Sequence, residues 1–597
     1  GWFWSSERGW EIVGFHGPPQ RFAARPEVIV PDKGGVDAVD VCVVGSGAGG
    51  AVVAWELCRR GIEVVLLERG RAFGRPGDFV ATKPDWELEK SPLWQSAAYA
   101  RIDGGKPQHL DEKLEELLPD FEDTALPSPR ERRRVVEGRR GPQRIQRVFG
   151  VGGSTLVFEG QCTRYGDDTF KSHTREGVGT DWPINYADIE SDYDAIERQL
   201  GVSGSPSLPG PPRRRGYPTP PHVLCGASRE LEKVCRKLGL HLYTQALASP
   251  TRPWKGRPAC RGCGCCMLGC GWGAKGDAES AFIRPAVATG RLRIVTAARC
   301  TRIEPGRDGR AGKVVYLDSV GKERAIKTRV VVLSAGAVET PRILFCSECG
   351  RWPRGAANGS GQVGKNYQET LFSVGYGFLE KPASYVGSPA VDNVIVDFIK
   401  GGKGSNRARG FTVSSCIAGI GALGPAGFAR RLVSGWGNEH LELMKRNFGH
   451  ALVLQAMGEQ LPLPGNRVEL SERTDCRGIP LVLVVNELGE NDILMLRHMG
   501  EVIRILLEAA GADRPRLANS SYVSRMGIEP RGTCRMGDDA GDSVVDRFCR
   551  SHDMKNLYIT DASVLVGGMH GNVSLTIQAL ARRAARHLAE SLSRGDL

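Results

Sequence analysis

The first periodic element along the chain is a valine-rich run at Val39–Val44, which reads as a strand. A glycine-rich turn follows it, then helical spacing over Ala51–Arg60 and a second short apolar run at Glu63–Leu67. Strand, helix and strand in that order predict a βαβ unit with parallel strands, the first half of a dinucleotide-binding fold. Further strands are expected at Arg293–Val295, Val330–Ser334 and Leu557–Thr560, and a helix over Thr576–Leu592. Sheet pieces from both ends of the chain should therefore meet. Between residues 350 and 530, alternating β-branched stretches such as Pro480–Asn486 predict an antiparallel sheet in a second domain. Residues 71–135 read as acidic helical stretches between proline-containing loops, and Ser203–Pro221, dense in Pro, Gly and Arg, as a linker or lid. Residues 1–37 carry no clear periodic element, and no internal repeat is visible.

Composition narrows the class. With 597 residues, 41% of them hydrophobic and 25% charged, the chain is too long for one ordinary core and suits two interleaved domains with room for a cofactor. No apolar run approaches the length that spans a bilayer, and Gly1–Phe15 lacks the basic, apolar, small-residue order of a secretory signal, so a cytoplasmic location is expected. The net charge of +12 sits largely in arginine runs, around Arg132 to Arg147 and at Arg213–Arg215. No nucleic-acid module accompanies them, so they read as solvated faces and no nucleic-acid partner is expected.

The turn after the first strand carries the most specific chemistry. Gly45, Gly47 and Gly50 occupy the G-x-G-x-x-G positions between strand and helix, where bare backbone lets N–H groups approach a pyrophosphate at the helix N-terminus. Eighteen residues after Gly50, Glu68 ends the second strand, placed to accept hydrogen bonds from both hydroxyls of an adenosine ribose and to disfavour a 2′-phosphate. This unit alone does not separate FAD from NAD.

Five further segments resemble the glucose–methanol–choline (GMC) oxidoreductases. They are Gly150–Val157 (with Gly152, Gly153 and Ser154), Asp181–Pro183 with Tyr186 and Tyr193, Ser334–Pro341, Val363–Asn366, and Asn556–Leu580 (with Asp561, Ala562 and Asn572). The resemblance runs from about Val39 to Ala589 and implies FAD bound by Gly45, Gly47, Gly50, Glu68, Gly152, Gly153, Ser154, Asp561, Ala562 and Asn572. It implies an α/β fold: a Rossmann-like FAD-binding domain of the GMC/PHBH-like type and an antiparallel-sheet α+β substrate-binding domain. The expected boundaries are 37–160, 225–348 and 545–595 for the discontinuous FAD-binding domain, 161–224 for the lid or linker, and 349–544 for the substrate-binding domain.

In that family a base takes the hydroxyl proton of an alcohol while its hydride moves to flavin. The usual first His lies three residues before the Gly of the Gly532–Gly537 run and is here Glu529; the partner, 43 residues on, is Asn572. His570 stands two residues before it. Glu529 and His570 are the candidate bases and Asn572 the orienting donor, against plainer readings in which Glu529 pairs with Arg531 or Arg535 at the surface and His570 only packs. Phe158 replaces an expected Asn and Thr370 an expected His. The expected activity is therefore oxidation of a hydroxyl group on a small alcohol, sugar, sterol-like compound or secondary metabolite, with dioxygen or another electron acceptor. Lyase- or isomerase-like flavin chemistry stands as the alternative, and a basic binding protein on the same scaffold as a third reading.

Among 17 cysteines, Cys260, Cys263, Cys266 and Cys270 have the spacing of a ferredoxin run, with Cys265 as an extra thiol. With Trp272–Lys275, this resembles a branch of the family carrying a [3Fe–4S] cluster. A [3Fe–4S] or [4Fe–4S] cluster is one expectation, reduced or disulfide-paired thiols a second, and zinc a third.

Overall fold

The computed structural model describes residues 37–75, 78–79, 125–127, 144–145, 147–400, 407–417, 424–433, 435–475, 477–517, 526–527 and 529–597. Most of the acidic stretch expected over 71–135, the run from Arg132 and the segment Gly1–Phe15 lie outside the described residues.

The βαβ unit is present as β1 (Ala38–Val44), α1 (Ala48–Cys58) and β2 (Val64–Leu67). Both strands run parallel, with Val41 opposite Val64. β3 (Leu292–Val295) pairs with β2, and β4 (Glu323–Leu333) with β1, all in parallel. The strand Leu557–Ile559 adds to β4 from the far end of the chain, as the sequence pattern requires. Two antiparallel strands, Ala311–Leu317 and Arg299–Pro305, complete the sheet of seven. Val41, Cys42 and Val43 are wholly buried, with α1 packed on β1 and β2 and the helix Ser574–Ser593 packed in turn on α1. A parallel sheet with both faces covered needs apolar residues at every central position, which is why β1 shows no alternation.

The second sheet does alternate. It orders Asp513–Leu517, Thr370–Phe378, Ala451–Glu459, Phe411–Ser415, Asn393–Ile395 and Leu242–Thr244, all antiparallel. Leu371, Leu452, Leu454 and Ala456 face the helix Glu490–Ala509 through Met495, Met499 and Ile503. Phe372, Val374, Tyr376, Val453 and Met457 form the core on the opposite face. The period-2 pattern thus gives the sheet two apolar faces.

Two placements differ from the sequence expectation. Pro480–Val485 is a strand, but it pairs with Arg467–Thr474 and Ala125–Pro127 in a separate small sheet. Helix Gly226–Leu238 and strand Leu242–Thr244, within the range read as FAD-binding, join the second sheet and its core.

The Pro- and Arg-rich segment 203–221 is seated on the helix Tyr186–Leu200. Ser203 bridges Thr219 and Leu247, the Tyr186 hydroxyl donates to the Pro212 carbonyl at 2.7 Å, and Arg213 reaches Glu197. Glu197 also takes a two-pronged contact from Arg164, at 2.9 and 2.7 Å, with both side chains almost wholly buried. Glu197→Gln strips the guanidinium of its carboxylate where water cannot replace it. We expect a loss of about 3–5 kcal/mol, read from the denaturant unfolding midpoint.

Candidate active site

The βαβ turn, the loop at Gly150–Leu156 and the C-terminal segment converge on one cavity of about 380 Å³. Gly45 has φ +97°, and a Cβ there would lie 2.4 Å from the Ser334 carbonyl oxygen, so the first turn closes onto β4 only because the residue is glycine. A Cβ on Gly50 would lie 1.9 Å from the Gly45 carbonyl oxygen, so the third glycine lets α1 pack against its own entry strand. Gly50 and Gly152 stand behind the wall; Gly45, Gly47, Gly153 and Ser154 form it.

A fully buried serine ties these segments together. Ser46 Oγ donates to Glu68 Oε2 at 2.5 Å and accepts from the Gly152 N–H at 3.1 Å. The Ser46 N–H also donates to Glu68 Oε2, and Gly70 N–H to Oε1 at 2.8 Å. Burial raises the Glu68 pKa, and these donors oppose it. Asp561 plays the same part on the other side: it accepts from Gly336 N–H at 3.0 Å, Thr340 Oγ1 at 2.6 Å and Ser563 N–H at 2.8 Å. Asp561 and Ala562 both border the cavity.

These residues fit an adenine dinucleotide. The N-cap of α1 is Gly47, with no side chain capping the helix, and the position of a Gly47 Cβ has nothing within 4 Å. The first N–H groups of α1 are therefore without a side-chain cap beside open space, which suits a pyrophosphate. Glu68 lies in the same wall. Asn572, Val573 and Ser574, where the last helix begins, border the cavity as well, and a helix N-terminus there favours negative charge.

Glu529 is delivered to this wall by strand register. Arg531 and Gln368 exchange both backbone hydrogen bonds, which sets Glu529 opposite Thr370 at the start of a second-sheet strand. Thr370 Oγ1 donates to Glu529 Oε2 at 2.8 Å, and Asn572 Nδ2 to Oε1 at 2.9 Å. Behind Thr370, the fully buried Arg531 donates to Thr370 Oγ1 at 2.9 Å. Glu529 adopts φ +55°, an unusual conformation for a non-glycine residue. Burial raises its pKa above the ordinary 4.5; Arg531, Thr370 and Asn572 pull the other way and Glu159 adds to the rise. The Arg531 pairing is thus relayed through Thr370, while Arg535 pairs with Asp542 at 2.6 Å instead.

His570 is not brought to this wall. Its ring packs edge-on against Tyr165 at 5.3 Å, and desolvation with the Arg409 guanidinium holds its pKa down to about 3. The chain turns sharply at Gly567 and Gly568, both with positive φ, and Arg409 and Glu459 hold Gly568 by its carbonyl and N–H. The structure therefore brings together Glu529 and Asn572 but not His570.

The thiols of the cysteine run lie close enough to act on one another electrostatically. Among the described residues, no group of three or more His, Cys, Asp or Glu side chains is placed to hold a metal ion. Cys260, Cys263, Cys266 and Cys270 are free thiols. Positive-φ turns at Gly262, Gly264 and Gly269 break the run, leaving Cys266 buried and Cys263 exposed. Among the described residues, neither the [3Fe–4S] or [4Fe–4S] cluster nor zinc therefore finds a set of three or more placed ligands.

Sequence reasoning missed Ser46 and four side chains near Glu529: Glu159, Phe372, Gln455 and Met457. Glu159 follows Phe158, one of the positions singled out for departing from the family pattern; the other three belong to the second sheet, where no motif marks them.

Comparison with known proteins agrees with this geometry. The family model described as GMC oxidoreductase matches residues 225–371, a second of that description matches 462–581, and one for FAD-dependent oxidoreductases matches 40–123. The chain is 30% identical over 566 residues to the 2-methyl-1,2-propanediol dehydrogenase of Mycolicibacterium austroafricanum, covering 93% of this chain and 96% of that one. It is 29% identical to the paromamine 6'-oxidase of Streptomyces fradiae, over 93% of this chain and 92% of the relative. It is 27% identical to the fructose dehydrogenase large subunit of Gluconobacter japonicus, over 94% and 99%. The solved structure of pyridoxine 4-oxidase from Mesorbium loti superposes with a TM-score of 0.60 at 17% identity, over 92% of this chain and 99% of that one, a likeness of fold.

Proposed function

Because the chain belongs to the GMC oxidoreductases, we propose that it oxidises a hydroxyl group of a small organic molecule, with Glu529 as the base and Asn572 as its orienting partner. The observation that carries this reading is the 2.9 Å contact between Glu529 and Asn572 on the cavity wall. Relatives named for action on a diol, an aminoglycoside and a sugar support hydroxyl chemistry of this kind.

FAD, when bound, supplies the acceptor for the hydride that leaves the substrate carbon. Gly45, Gly47, Gly153 and Glu68 would hold its nucleotide half, with Ser46 tying Glu68 to the Gly150–Leu156 loop. Glu529 takes the hydroxyl proton at one carboxylate oxygen. Thr370 and Asn572 keep that carboxylate from rotating away, since each oxygen is fixed by one donor. Phe158, Phe372 and Met457 make the adjoining wall apolar and limit water there.

A base must be unprotonated to act, and the Glu529 pKa lies above the usual glutamate value. We expect kcat/KM to fall by about tenfold per pH unit as the pH drops through that raised pKa, and to level off above it. A pH profile that stays flat down to the ordinary carboxylate range would assign the proton to another group.

The direct test is anaerobic addition of candidate alcohols, diols and sugars to the FAD-loaded protein, with bleaching of the flavin absorption expected. Glu529, Phe158 and Thr370 at departing positions keep one rival reading in view, turnover without net redox change. That rival predicts product with no bleaching, no peroxide and no need for an acceptor. Whether electrons pass to dioxygen or to another acceptor is read next, from return of the flavin absorption on admitting air or only on adding a dye acceptor. No electron step is assigned to the Cys260–Cys270 loop; iron and sulfide analysis of the purified protein tests for a cluster there. Among the described residues, no helix is long and apolar enough to cross a membrane.

A further inference from the structure

Glu159 borders the cavity together with Glu529, Gln455, Phe372 and Met457, yet the proton-transfer chemistry above makes no use of it. It is 9% exposed. Its Oε2 accepts from Gln161 Nε2 at 2.5 Å and from Gln455 Nε2 at 3.4 Å, and Oε1 has only the Cys416 thiol at 3.4 Å. Every donor is neutral.

Positive charge on the cavity wall is committed elsewhere. Arg69, Arg147 and Arg342 surround Glu339, and Arg299 pairs with Asp475. Burial raises the Glu159 pKa, and Gln161, Cys416, Gln455 and, through space, Lys275 oppose the rise; the three N–H groups of Lys275 themselves go to the carbonyls of Leu156, Phe158 and Cys266. A buried carboxylate with neutral donors alone is costly, and a cation arriving with the ligand removes the cost. A separate observation points the same way: Asn572 Oδ1, on the same wall, is buried and has no hydrogen-bond partner among the described residues. The wall therefore offers acceptors that a ligand rich in N–H and O–H groups would satisfy.

We propose that Glu159 receives a positively charged nitrogen, so that the hydroxyl compound this protein oxidises is an amino alcohol in its ammonium form. The proposal rests on the hydroxyl-oxidising reading and narrows it to one substrate class. Glu159 sets specificity, with Gln161 and Gln455 fixing its oxygens so that Oε1 is the one left to the ammonium group. A diol of the same size would leave Glu159 as it is now.

The test uses two probes that carry no hydroxyl, butan-1-amine and neutral butyramide, titrated into the FAD-loaded protein while the flavin absorption bands are followed. The wild type is expected to bind the amine at least tenfold more tightly than the amide. Glu159→Gln keeps the shape and the neighbouring hydrogen bonds and is expected to weaken amine binding by about 30-fold, the equivalent of ~2 kcal/mol for losing one partner of a buried charge pair. Amide binding should stay unchanged. Equal affinities for the two probes in the wild type would overturn the proposal, and so would a Gln variant that loses both alike. If the variant does not fold, the wild-type comparison decides by itself. Neither probe can be oxidised at a hydroxyl, so the outcome stands apart from whether alcohols bleach the flavin. Comparing a 1,2-amino alcohol with its matched diol in the anaerobic assay then joins the two.

Discussion

Glu529→Gln is expected to lower kcat/KM by about 10²–10⁴-fold, the usual contribution of a positioned general base. The substitution keeps the side chain's size and leaves an oxygen to accept from Asn572 Nδ2, but the amide cannot take up a proton at neutral pH. Thr370 Oγ1, which now donates to Glu529 Oε2 and accepts from Arg531, can adjust to an amide N–H by rotating its hydroxyl. The effect should therefore fall on chemistry and not on folding or flavin content. Stopped-flow reduction under anaerobic conditions at saturating substrate reads the chemical step, and the absorbance ratio of flavin to protein reads the control. A variant that reduces its flavin within tenfold of the wild-type rate would show that the proton leaves by another route.

Gly45→Ala should abolish flavin retention and destabilise the protein by about 2–5 kcal/mol, because a strained backbone and an overpacked contact coincide there. The φ of +97° disfavours any side chain, and the added methyl would sit 2.4 Å from the Ser334 carbonyl oxygen, where backbone has no room to give. Gly61 supplies the comparison. It has φ +87° but nothing within 4 Å of its Cβ position, so Gly61→Ala bears only the conformational part, about 1 kcal/mol, and should stay yellow. Equal losses of colour in the two variants would mean that contact with Ser334 does not matter.

The parts of the molecule that the sequence announces are those with a local cause. β1, α1 and β2 follow from an apolar run, a glycine turn and helical spacing within thirty residues, and Glu68 falls where the second strand must end. Glu529 and Asn572 were paired by family spacing, and the structure puts them in contact. His570 shows the limit of nearness in sequence: two residues from Asn572, it does not border the cavity and packs on Tyr165, whose hydroxyl donates to the Asn572 carbonyl. Glu159 went unnoticed because, beyond its neighbour Gln161, its environment is completed by Cys416 and Gln455, 257 and 296 residues later. Spacing likewise suggested a common ligand for the four thiols, while among the described residues no group of three or more is placed to hold a metal ion. In each case the missing information is the orientation of a side chain, which depends on contacts far along the chain.

The seven-stranded sheet takes strands from residue 38 to residue 559, and the cavity wall is finished only by Asn572–Ser574 and Ile577. On the ribosome, the glycine turn is made about five hundred residues before the segment that closes over it. Stable capture of the flavin therefore waits until the chain has been made through Ile577. A product truncated before Leu557 would carry the complete G-x-G-x-x-G signature and still lack the strand and the helix terminus that complete the chamber.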